Sequence, residues 1–165
     1  MLAKADFYYG AFLSQLVNSG FAPAIIENSD KRRIYKLATN YGDFKVYTKY
    51  VSKQANKGQD KLWHFPFNTD ELNNILQDES INMFAFICGV EDLVNSEIAI
   101  LNREQFNRCI GVDFKTENRR VSVKSEKGSW NYLLYGTGLE LKVDAQKITK
   151  NLNKRLSEFS MAPAF

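Results

Sequence analysis

An aspartate and a lysine two residues apart, Asp43-Phe44-Lys45, begin a stretch that continues as Val46-Tyr47-Thr48-Lys49. Side chains alternate faces along an extended strand, so Asp43, Lys45, Tyr47 and Lys49 are expected to project one way, and Phe44, Val46, Thr48 and Tyr50 the other. A carboxylate at this spacing can bind a hard divalent cation through oxygen, while the lysine orients water and offsets phosphate charge. The surrounding segment is basic. From Lys31 to Lys61 nine Lys or Arg face only Asp43 and Asp60, about +7 in a chain of net charge +3, which leaves about −4 elsewhere. Within that segment Arg32, Arg33, Lys36, Lys53 and Lys57 are interleaved with Tyr35, Tyr41, Tyr47 and Tyr50. Cations among aromatics hold phosphates and stack bases, whereas the blander reading is a solvated basic hairpin.

These residues need elements to position them. The spacing of Phe7, Ala11, Leu13, Leu16 and Val17 predicts a helix from Ala3 to Ser19, stopped by Gly20. Phe21–Glu27 reads as a strand, with Asn28-Ser29-Asp30 as a turn, and Arg33–Ala38 and Phe44–Val51 as a hairpin around Asn40-Tyr41-Gly42-Asp43. Ser52–Lys61 reads as a loop, Trp63, Phe65 and Phe67 as an alternating extended segment, and Thr69–Gln77 as a helix capped by Asn68 or Thr69. Met83–Gly89 is expected as a buried central strand beside Glu97–Leu101, followed by a short helix capped by Asn102. Arg120–Lys124, Trp130–Tyr135 and Leu139–Val143 predict a β-meander. A final helix over Ala145–Phe159 and a tail from Ser160 to Phe165 complete the chain. The expected architecture is one α/β (α+β) domain over 1–165: a core at about 3–110 with a mixed central sheet flanked by helices, then the meander and helix at about 111–159.

Over Ala3 to Gly89 the order helix, strand, hairpin with an acid and then an acid-x-Lys triplet, helix, central buried strand resembles the αβββαβ core of the PD-(D/E)XK, or restriction-endonuclease-like, superfamily. The resemblance implies a nucleic-acid-binding protein, with Mg²⁺-dependent phosphodiester cleavage as the associated activity. It implies Glu27 or Asp30 as the first metal-binding acid, Asp43 as the second and Lys45 as the lysine. In an alternative register Lys49 is the lysine and Tyr47 stands where the acid belongs, which implies a nucleic-acid-binding or structural descendant. The competing reading is a non-enzymatic module that recognises a protein partner, supported by 13% aromatic residues.

Composition narrows the classes further. The longest apolar run, Met83–Cys88, is far short of the ~20 residues of a membrane span, so no membrane partner is expected. Asp6 and Tyr-rich amphipathic sequence stand where a signal peptide would need a basic flank and an apolar run. One histidine, His64, and two distant cysteines, Cys88 and Cys109, are too few for a conventional zinc site. Buried, reduced cysteines suit a cytoplasmic protein.

Overall fold

The computed structural model describes residues 1–28, 32–39, 42–56, 58–111, 118–139 and 143–161, with backbone alone at 26–28, 39, 160 and 161. Helix α1 (Lys4–Asn18) opens where Ala3 N–H donates to the Asp6 carboxylate at 2.8 Å. Beyond it Gly20 has φ +86°, a left-handed conformation that suits glycine and turns the chain into the first strand. β1 (Ala22–Asn28), β2 (Arg33–Thr39) and β3 (Gly42–Val51) pair antiparallel in sequence order. β4 (Lys61–Phe67) leaves this sheet, and α2 (Thr69–Gln77) follows, its Asn68 side chain accepting from Glu71 N–H at 2.8 Å. β5 (Ile81–Cys88) then runs parallel to β3, with β6 (Glu97–Asn102) antiparallel beside it. The first sheet is thus ordered β1-β2-β3-β5-β6.

After α3 (Arg103–Ile110), which Asn102 caps, come β7 (Arg119–Ser125), β8 (Asn131–Gly136) and β9 (Gln146–Thr149). They form a second, antiparallel sheet ordered β4-β7-β8-β9, so a strand from the first half of the chain becomes its edge. Helix α4 (Leu152–Met161) ends the described chain. The protein is α+β, with a mixed sheet flanked by helices and an antiparallel sheet after it, in line with the fold class expected from element order. One expectation is corrected. The helix predicted to start at Ala145 starts at Leu152, because Lys147-Ile148-Thr149 pairs with β8 and buries Ile148 opposite Tyr132. Asn151, accepting from Lys154 N–H at 3.1 Å, starts that helix instead. β8 pairs with β7 on one side and β9 on the other, while the strand predicted over Leu139–Val143 falls on 140–142, outside the described residues.

β5 shows why the layers form. Its side chains alternate between two cores: Phe84, Phe86 and Cys88 face one, Met83, Ala85 and Ile87 the other. The first core joins the central sheet to Trp63, Phe65 and Phe67 of β4, Val121 and Val123 of β7, and Phe106 of α3. The second joins it to Tyr9, Phe12 and Leu16 of α1 and to Leu156 and Phe159 of α4. A strand buried on both faces reads as a continuous apolar run, as this one does. At the C-terminal end of β5, Gly89 donates to the Val51 carbonyl at 2.8 Å; a Cβ there would lie 2.5 Å from that oxygen, so the close approach of β3 and β5 requires glycine.

Candidate functional site

β3 places its polar face against α2. Glu71 and Ile75 on that helix and Asp78, its C-cap, follow at four- and three-residue spacing, one side of a helical turn. Lys49 Nζ donates to the Glu71 carboxylate at 3.0 and 3.3 Å, and Tyr47 Oη donates to the same carboxylate at 2.7 Å. Lys45 Nζ is bonded to Asp78. Seven helical residues at about 1.5 Å and four strand residues at about 3.3 Å cover similar lengths, so both ends of the helix meet a lysine of the strand.

Lys49 is buried, 7% exposed, and also donates to the Pro66 carbonyl of β4, while its ammonium lies 4.2 Å from the Phe67 ring centroid. Burial acts to raise the Glu71 carboxyl, but the Tyr47 hydroxyl, Lys49 and the Asn68 backbone N–H outweigh it and hold Glu71 below the usual range. Burial, then Glu71, pushes the Tyr47 phenol well up, so it stays a neutral donor. Asp78 is held low, first by Lys45 and then by Ser80. Lys49 also lines an open cleft of about 630 Å³ at the C-terminal end of β3, together with Lys53, Asn68, Glu71 and Asn118. Crevices beyond the carboxyl ends of parallel strands are where open α/β sheets bind ligands. On the far side of Tyr47 a smaller cavity of about 150 Å³ lies among Arg32, Lys45 and Asp78.

The sheet register separates the acids named from sequence. Asp43 pairs with Ala38, whereas Glu27 pairs with Ile34 and Ile34 with Tyr47. Asp43 is thus four residues along the strand from the Glu27 row, about 13 Å at 3.3 Å per residue. The row that contains Glu27 meets β3 at Tyr47, beside Lys49. Asp43 is exposed and paired with Lys36 at 3.5 Å. Asp30 and Lys57 lie outside the described residues, and Glu27 is described by its backbone alone. Among the described residues no three His, Cys, Asp or Glu side chains converge to hold a metal ion. The Glu71 carboxylate accepts from both Lys49 and Tyr47.

Much of the basic segment is neutralised in space. Arg33 meets Asp6 at 3.1 Å and lies over Tyr9, Lys61 meets Glu97 at 3.7 Å, and Lys36, Lys45 and Lys49 have the partners given above. Arg32 lies 5.8 Å from the centroid of Tyr47, whose ring is buried and presents no face to a base. Lys53 is exposed at the cleft. His64 Nδ1 is 2.7 Å from Ser122 Oγ, and burial, aided by Arg120, lowers its pKa; it is a hydrogen-bonding residue of the second sheet. Cys88 and Cys109 are free and buried, as expected. Among the described residues no helix is long and apolar enough to cross a membrane.

Glu71 and Asp78 escaped the sequence reading as partners of the lysines. The available signal was their helical spacing with Ile75, opposite a strand that brings Lys45 and Lys49 to one face. No protein-family model, curated protein or solved structure matches the chain.

Proposed function

We propose that the chain is a nucleic-acid-binding protein of restriction-endonuclease-like type, which receives the phosphate backbone at the cleft beyond β3. The observation that carries this reading is the position of Lys53: an exposed cation lining the cleft beyond the C-terminal end of β3, with Lys49 and Asn68 in the same wall. The register with Tyr47 in the acid's place is the one implying binding without a full set of metal ligands. The order helix, three strands, helix, strand around the mixed sheet also supports it.

A salt titration of binding to DNA and RNA tests the reading. Wild type is expected to show a steep loss of affinity with salt, and Lys53→Ala a slope shallower by about one. Lys36→Ala, on β2 opposite Lys45 and already paired with Asp43, is expected to leave the slope unchanged. Absence of binding at low salt sinks the proposal. In that event the protein-partner reading is favoured by Trp130, which is 86% exposed just before β8, since aromatic anchors of this kind dominate interfaces.

A further inference from the structure

We infer that the outer face of the second sheet is a further nucleic-acid contact, over which the phosphate backbone continues after leaving the cleft; this rests on the nucleic-acid reading above. The register of the four strands fixes which side chains share that face. One row runs Leu62, Lys124, Leu133, Lys147 across β4, β7, β8 and β9, and the next runs His64, Ser122, Tyr135. Beyond them Arg120 stands opposite Pro66. Trp63, Phe65, Val121, Val123, Leu134 and Ile148 alternate with these residues and fill the core between the sheets, so the cations point away from it.

Charge selects the partner. Arg120 and Lys147 are exposed, and neither forms an ion pair among the described residues. Lys124 meets Glu126 at 3.9 Å, a separation at which an exposed pair contributes little. At the rim Asp144 lines one cavity with Lys147 and Arg108, two cations to one acid. Arg120 and Lys124 are four residues apart on β7, about 13 Å, and Lys147 stands two strands from Lys124, about 10 Å. Cations fixed at such intervals meet successive charges of a polyanion rather than one small ion. Continuity with the cleft names the polyanion. Pro66 and Asn118 line the cleft, and Arg120 pairs with Pro66 in register, two residues beyond Asn118. A backbone held at Lys53 therefore reaches Arg120 by crossing β4, the edge strand of the second sheet. A nucleic acid carries its charge along one unbroken chain and so can occupy cleft and face together. Contacts of this kind position the strand and do not read its sequence.

Salt titrations of one labelled oligonucleotide with Arg120→Gln, Lys147→Gln and the double variant test the inference, with urea midpoints to confirm that each variant is folded. Each single substitution, at an exposed position, is expected to make the slope shallower by about one, and the double variant by about two. Slopes equal to wild type in both single variants, alongside a shallower one in Lys53→Ala, overturn the inference while the cleft reading stands. Absence of binding by the wild type removes both. Displacement of the oligonucleotide by polyglutamate at equal charge concentration also overturns the inference, in favour of an acidic protein partner.

Discussion

Glu71 occupies the position at which an incoming anion would meet Lys49, and with the Pro66 carbonyl it already satisfies that lysine. Neutralising the carboxylate should therefore help an anionic ligand. Glu71→Gln is expected to bind an oligonucleotide about tenfold more tightly, since at an effective dielectric near 20 one unit charge a few ångströms away is worth more than 1.4 kcal/mol. Weaker binding in an anisotropy titration would mean that the carboxylate itself touches the ligand. The same residue shapes the acid limb of stability. Glu71 and Asp78 have folded pKa values below their unfolded ones, so their contribution is fully present above the unfolded values of roughly 4 and is lost as pH falls through the folded ones. Urea midpoints should stay level from neutrality down to about pH 5 and decline below about 4.5. The decline should be shallower in Glu71→Gln and in Asp78→Asn.

At the scale of elements, α2 is held to its neighbours from both ends. Beyond the two ion pairs with β3, the Arg103 guanidinium donates to the carbonyls of Ile75, Asp78 and Ile81, at 2.9, 3.2 and 3.1 Å. These oxygens lie at the end of the helix and just past it, where the intrahelical ladder runs out. Arg103→Ala should cost about 2–3 kcal/mol in urea denaturation, and hydrogen exchange should quicken in the last turn of α2 before it does in β5. Most of the elements could be read from local pattern: the alternation in β3, the Asn68 and Asn102 caps and the apolar run of β5 are each written within a few residues. What escaped depends on distant pairing. Lys49 meets Glu71 across an intervening strand, β4 joins strands that follow it by more than fifty residues, and Ile148 became strand rather than helix because Tyr132 lies opposite. Local charge counting likewise placed a basic patch where acids from α1, α2 and β6 fold against it.

The whole molecule hangs on the aromatic layer between its two sheets. Phe65 stacks on Phe86 at 4.7 Å, and Phe84 on Phe106 at 4.0 Å, so β4, β5 and α3 share one set of contacts. Trp63, fully buried in β4, donates to the Gly89 carbonyl at 2.9 Å and ties the second sheet to the end of β5. Phe86→Ala should lower stability by about 3–5 kcal/mol. Tryptophan fluorescence and far-ultraviolet circular dichroism should report the same urea midpoint, because the shared core leaves neither sheet a separate transition. Divergent midpoints would show that the sheets melt independently.

The two cysteines carry a consequence for handling the protein. Burial lifts the Cys88 thiol far above its ordinary pKa and pushes Cys109 up to about 12, so neither presents a reactive thiolate while the fold is closed. A cysteine introduced at position 53 or 118 would then take a dye or spin label alone, with no need to remove the native pair. The native thiols, in turn, become clocks: the delay before each is alkylated measures how often the strand bearing Cys88, or the helix bearing Cys109, exposes its interior to solvent.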